Sequence, residues 1–242
     1  MKGIILAAGD GGRLGILTQR YPKALLDAGG RPLIGYPLAA CAAAGIEEIA
    51  IVVGHLGERV REVIGDGSQF GVRLSYIRND DYLGGNAVSV HKARQWVQGA
   101  PVVVCMADHV IGEDLVKRLV ENDPANETLC VDHSPGEYLD IDEATKVALD
   151  GDGCISDIGK GLARWDALDT GVFLLTGRFF RVLDGLVRRH GLGVEMSDAI
   201  RSLVGQGHRF GTRDVSGCFW MDVDTRDDLD TVRGMADENR SL

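Results

Sequence analysis

Three glycines, an arginine and a lysine stand close together near the start of this chain, in Leu6–Leu14 (LAAGDGGRL) and Tyr21–Leu26 (YPKALL). Gly9, Gly11 and Gly12 carry no Cβ, so backbone N–H groups of such a loop can approach phosphate oxygens closely. Arg13 and Lys23 add fixed positive charge where a triphosphate would sit. Leu6, Ala7, Ala8, Gly9, Asp10, Gly11 and Gly12 are therefore candidate nucleotide-binding residues, with Arg13 and Lys23 as candidate charge stabilisers. The glycines alone fit a plain connecting turn equally well; the two cations favour phosphate. The spacing excludes two familiar loops. No Lys-Ser or Lys-Thr pair follows the glycines as G-x-x-x-x-G-K-[ST] requires, and Leu14 stands where G-x-G-x-x-G needs its third glycine.

Carboxylates supply the complementary chemistry. Asp108 follows the apolar run Val102–Met106, and Asp222 and Asp224 alternate in WMDVDT, so on a strand those two share a face. Two or three carboxylates around one point make a hard oxygen site for Mg2+, completed by water and phosphate oxygens. Asp108 alone also fits a turn cap, and Asp224 or Thr225 fits the N-cap of a following helix. His109 adjoins Asp108 and is either an acceptor contact or a rim residue. The other histidines (His55, His91, His133, His190, His208) lack metal-ligand spacing, so no zinc site is expected. Gly85, Asn86 and Ser89 open a helix after a glycine pair; they fit a base or ribose contact, and Asn86 equally fits a cap.

The elements that must position these residues alternate in the first half. Strands are expected at Ile4–Leu6, Ile49–Val53, Val72–Ile77 and Val102–Met106. Helices are expected near 32–44, with Pro32 in the first turn, and at Leu56–Ile64 and Asn86–Val97. This βαβ order predicts an α/β fold with a mostly parallel sheet and helices on both faces. Ligands of such sheets bind at the carboxyl ends of the strands. After Asp108 the pattern loosens. A helix is expected at Asp114–Glu121 and a strand at Thr128–Asp132. Thr145–Leu149 and Cys154–Ile158 flank the hairpin signal Asp150-Gly151-Asp152-Gly153. Leu168–Leu175 reads as a strand, followed by helices near Gly177–Arg189 and Glu195–Val204. Strands at His208–Asp214 and Phe219–Val223 and a helix at Arg226–Glu238 close the chain, whose polar end ADENRSL is expected to fray. The second half reads as a mixed-sheet subdomain over the carboxyl ends of the parallel strands.

LAAGDGGRLGILTQRYPKALL resembles the signature L-A-A-G-x-G-x-R-[LM]…P-K of the nucleotidyltransferases that activate sugar phosphates and related small phosphates. DIDEATK, IGKGL, DTGVF and WMDVDT extend the resemblance over nearly the whole chain, most closely to cytidylyltransferases acting on inositol 1-phosphate. The resemblance implies a Rossmann-like nucleotide-diphospho-sugar transferase fold, CTP as donor, Mg2+ as cofactor and pyrophosphate as leaving group. It assigns Arg13 and Lys23 to the triphosphate and Gly85, Asn86 and Ser89 to the base. Asp108, Asp222 and Asp224 would hold the metal. Lys146 would bind the acceptor phosphate, with His109, Asp169 and Thr170 near the acceptor. From spacing alone Lys146 reads as a surface lysine and Asp169 as a strand-end turn. The segment Gly15–Arg20 makes the first loop longer than in the compact inositol enzymes. A small phosphonate such as 2-hydroxyethylphosphonate is the alternative acceptor.

A noncatalytic nucleotide sensor would keep the phosphate loop but not the cations and carboxylates together. A glycosyltransferase would place its D-x-D motif after the nucleotide half, whereas Asp222-Val223-Asp224 lies near the C-terminus. The 242 residues suit one domain, with residues 1–110 as nucleotide half and 111–242 as acceptor and metal half, whether alone or within a longer chain. A net charge of −10 disfavours nonspecific nucleic-acid binding. Five scattered cysteines without a C-x-x-C pair predict reduced thiols. No run approaches the ~18 apolar residues of a membrane span. Met1-Lys2 leads straight into a strand, so a cytoplasmic protein without a signal peptide is expected.

Overall fold

The computed structural model of the chain describes residues 1–121 and 126–237. The element order is β1 (Lys2–Ala7), α1 (Ile16–Gln19), α2 (Gly35–Ala43), β2 (Glu48–Val53), α3 (Gly57–Ile64), β3 (Arg73–Arg78), α4 (Asn86–Lys92), α5 (Arg94–Val97) and β4 (Val102–Met106). Then follow β5 (His109–Ile111), α6 (Glu113–Val120), β6 (Thr128–Asp132), β7 (Lys146–Leu149), β8 (Ile155–Gly159) and β9 (Ala167–Leu175). The chain continues through α7 (Gly177–His190), α8 (Met196–Gly205), β10 (Gly211–Asp214), β11 (Trp220–Asp222) and α9 (Arg226–Asp237).

One mixed sheet runs in the order β10-β6-β9-β4-β1-β2-β3. β4, β1, β2 and β3 are mutually parallel, as the βαβ alternation requires, and β9 joins β4 antiparallel. The β7–β8 hairpin hangs from β9. Strand alternation divides the core into two. Ile5 and Ala7 join the cluster with Leu38, Val103, Cys105 and Leu115 on one face. Ile4 and Leu6 join Val102, Val104, Phe173, Phe179 and Leu203 on the other. Helices therefore cover both faces, and the loops at the carboxyl ends of β1 and β4 meet at the open rim.

Several expected boundaries move. Pro32 does not enter a helix: it pairs with Asp27 in an isolated bridge, and α2 starts at Gly35. The helix expected over Asn86–Val97 is broken at Ala93, whose N–H reaches back three residues to Val90 rather than four. The first loop contains the short helix α1. β5 was not foreseen, and it matters most. It pairs antiparallel with β11, setting His109 opposite Asp222 and Val110 opposite Met221. That ladder brings the two acidic segments together. All five cysteines are free, four of them buried and Cys218 half-buried. No helix among the described residues is long and apolar enough to cross a membrane. Residues 238–242, with most of the expected polar end, lie outside the described residues.

Candidate active site

A cleft of about 400 Å³ opens at the carboxyl ends of β1 and β4. Leu6, Ala8, Gly9 and Arg13 line one side, with Gly84, Gly85, Asn86 and Ser89; Asp108, His109, Asp169, Asp222 and Asp224 line its floor. Glu143, Thr145 and Lys160 also line the cleft, and Glu195 lines it beside Asn86. Ala7 and Lys23 face a smaller adjoining cavity with Gly9 and Asp108.

The floor is organised by one ammonium. Lys23 Nζ donates to Asp108 Oδ2 at 2.7 Å and to Asp224 Oδ1 at 2.6 Å. Burial disfavours a charged lysine, but the two carboxylates outweigh it and hold Lys23 above its ordinary pKa. Burial likewise opposes ionised Asp108, yet Lys23 and His109 hold its carboxyl well below the usual carboxylate range. His109 Nδ1 lies 3.0 Å from Asp108 Oδ1. Burial works against the imidazolium, and the Asp108 contact outweighs it, so His109 titrates above its ordinary value. Arg13 pairs with Asp224 and lies 3.7 Å from Glu143, which is itself 3.4 Å from Lys160. Asp169 is pushed up to about 6 by burial, against the opposing Gly171 amide hydrogen bond. Burial also raises Asp222, with His109 opposing and Asp224 and Asp108 adding to the rise.

Local structure explains these placements. Gly11 has φ +66°, and a Cβ there would lie 2.9 Å from the Thr18 methyl and 3.0 Å from Lys23 Cβ, so the loop can wind tightly over Lys23 only with glycine. Thr18, almost fully buried, donates its hydroxyl to the Gly11 carbonyl at 2.9 Å. The segment Gly15–Arg20 thereby braces the loop. Trp220 buries its ring and donates Nε1 to Asp132 at 2.8 Å, fixing β11. Thr225 accepts the Asp228 amide at 3.2 Å as the cap of α9, and this leaves the Asp224 carboxylate free for Lys23 and Arg13.

Residues 2–137 match the model of the nucleotidyl transferase family. The chain belongs to that family. It is 36% identical over 228 residues to the bifunctional IPC transferase and DIPP synthase of Rubrobacter xylanophilus, covering 93% of this chain and 49% of that protein. It is 29% identical over 239 residues to the CMP-5'-(3-aminopropyl)phosphonate synthase of Streptomyces rubellomurinus, covering 93% and 37%. The solved inositol-1-phosphate CTP transferase of T. maritima shares the fold, with TM-score 0.84 and 22% identity, covering 100% of this chain and 98% of that one. The chain spans about half the length of the bifunctional relatives it matches.

Some expected residues stand elsewhere than at the cleft. Lys146 is buried and donates Nζ to the carbonyls of Asp142 at 3.4 Å and Lys160 at 3.1 Å. It ties together the two turns that carry Glu143 and Lys160, and the lysine facing the cleft is Lys160. Thr170 is fully buried and donates to the Cys130 carbonyl at 2.9 Å. On β9 it must face opposite to Asp169, so only Asp169 reaches the cleft. Asp10, Gly11 and Gly12 line neither cavity, and the Gly12 amide donates to Asp10 at 3.1 Å. Asn86 Oδ1 accepts from the Met196 amide at 2.8 Å, and Ser89 Oγ accepts from Asn79 at 3.0 Å. Asp108, Asp222 and Asp224 share the cleft, but no three ligating side chains among the described residues gather into a metal cage. Lys23 stands between two of them, Asp108 and Asp224.

Glu143, Thr145, Lys160 and Glu195 were missed. Lys160 had a signal: the IGK string just after the hairpin places it at a turn beside the strand ends. The expected consequence separates the two lysines. Lys160→Ala should raise the acceptor KM about tenfold, as for loss of one charge-assisted hydrogen bond. Lys146→Ala should lower Tm, because it leaves two carbonyls without their donor. Steady-state kinetics with thermal melts of both variants checks this.

Proposed function

We propose that the cleft transfers CMP from CTP to a small phosphorylated acceptor, most closely inositol 1-phosphate, and releases pyrophosphate. The observation that carries the reading is the meeting of Arg13 and Lys23 with Asp108 and Asp224 at the end of β1, with Asp222 on the same floor and Lys160 at the cleft beyond Glu143. That arrangement suits two anions brought together. The choice of CTP and of an inositol phosphate rests on what the relatives are named for.

An oxygen of the acceptor phosphate attacks the α-phosphorus of CTP; the bond from that phosphorus to the β-phosphate oxygen breaks, and pyrophosphate leaves. The attacker is anionic at neutral pH, so the site needs positioning and charge stabilisation rather than a general base. Arg13 and Lys23 neutralise charge on the departing phosphates. Lys160 offsets repulsion between acceptor and nucleotide. His109 and Asp169, on the floor, face the acceptor. Lys146 acts at one remove, by holding the backbone of Lys160.

Asp108 and Asp224 already converge on one cation, and Asp222 opens on the same cleft. This all-oxygen set suits magnesium, which accepts one or two carboxylates and completes its shell with phosphate oxygens and water. Magnesium held there by one or two of Asp108, Asp222 and Asp224 would supply charge neutralisation at the phosphates. A phosphonate is the second reading for the acceptor, favoured by the likeness to the Streptomyces phosphonate synthase.

The test is pyrophosphate release with magnesium, using four nucleoside triphosphates crossed with inositol 1-phosphate, hexose 1-phosphates, phosphocholine and 2-hydroxyethylphosphonate. Release with CTP and inositol 1-phosphate is expected. Release with 2-hydroxyethylphosphonate alone would move the acceptor to the second reading. Nucleotide binding without release from any pair would contradict the proposal.

A further inference from the structure

Two helices from distant parts of the chain begin beside the cleft and meet at their first turns. α4 starts at Asn86 on the nucleotide side, and α8 starts at Met196, far later in the chain. Each is capped by a residue from the other. The Asn86 amide donates to Glu195 Oε2 at 2.9 Å, and the Met196 amide donates to Asn86 Oδ1 at 2.8 Å. The first-turn amides of a helix have no partner within it, so each bond satisfies a donor that its own helix cannot. Glu195 also receives the third amide of α8, and its own amide donates to Asp198 at 3.0 Å, which fixes its rotamer from both ends.

The backbone closes the same seam. The Gly85 amide donates to the Leu192 carbonyl at 2.8 Å. A Cβ on Gly85 would overlap the Val194 carbonyl, so the chains approach this closely only because residue 85 is glycine. Gly84, Gly85, Asn86, Ser89 and Glu195 all line the cleft. The nucleotide-side wall is therefore held from the other half of the molecule.

We infer that Asn86 and Glu195 form a reciprocal interlock in which Glu195 is a positioning residue for the nucleotide-side wall 84–89. Glu195 acts through the Asn86 amide and touches no phosphate. Its negative charge lies where helix amides point, which strengthens both bonds. The functional part of this inference rests on the reading that the 84–89 wall faces the nucleotide base; the interlock itself does not.

The experiment combines amide hydrogen exchange with kinetics on wild type, Glu195→Ala, Glu195→Gln, Asn86→Ala and the double alanine variant. Glu195→Ala should speed exchange at Asn86 and raise the KM for CTP about five- to tenfold, with a smaller change in kcat. Glu195→Gln keeps an acceptor oxygen and should restore most of both. The double variant should be little worse than the worse single one, because either change opens the same interlock. A rise in acceptor KM alone would overturn the inference and make Glu195 an acceptor contact. Additive effects with unchanged exchange would overturn the interlock. Faster exchange in a protein whose wild type binds no nucleoside triphosphate would uphold the interlock and sink the proposed function instead.

Discussion

Lys23→Ala is expected to lower turnover by about a hundredfold or more, the magnitude found when one key charge stabiliser is lost. Two effects combine. The departing pyrophosphate loses one of its two cations and keeps only Arg13, which is also shared with Asp224 and Glu143. Asp108 and Asp224 also lose the ammonium that separates them, and their mutual repulsion then acts on β5 and on the turn before α9. The stability loss should stay below the ~3–5 kcal/mol of breaking a fully buried pair, because the cleft leaves Asp108 35% and Asp224 21% exposed. Lys23→Met keeps the stem that packs under Gly11 and isolates the charge. Single-turnover pyrophosphate release checks the expectation; near-normal rates in both variants would remove Lys23 from the chemistry.

Asp108→Asn should reduce turnover by a comparable factor, about a hundredfold, while nucleotide binding weakens less. The substitution keeps size and removes charge. Asp108 holds both Lys23 and His109, so an amide in its place leaves Asp224 as the ammonium's one carboxylate partner and drops His109 towards its ordinary pKa. The catalytic loss should persist at saturating magnesium, whereas a variant deficient only in metal affinity would recover. Magnesium titration of kcat separates these outcomes, and full recovery would assign Asp108 to metal binding alone.

The parallel half of the fold was legible because apolar strand runs and amphipathic helices alternate there with short connections. The phosphate loop was legible for the same local reason, since glycines and cations sit together in the chain. β5 was not: three residues, His109–Ile111, carry no periodicity, and their pairing with β11 is a long-range event. Thr170 could have been excluded by strand parity once Asp169 was placed. Lys146 and Lys160 illustrate a different limit. Both lie near the hairpin ends, and only the three-dimensional turn decides which ammonium meets carbonyls and which meets the cleft. Asn86 read equally as a cap or a base contact; its oxygen caps a helix more than a hundred residues away, a partner that no local pattern reveals.

The most direct test of cytidylyl transfer follows the acceptor oxygens. Inositol 1-phosphate labelled with 18O at its three non-bridging phosphate oxygens is turned over with unlabelled CTP, and the products are read by 31P NMR and mass spectrometry. Cytidylyl transfer yields a cytidine diphosphate conjugate retaining all three labels, one of them bridging the two phosphorus atoms, and unlabelled pyrophosphate. CDP with a doubly phosphorylated acceptor, or CMP formed by water without conjugate, would contradict it.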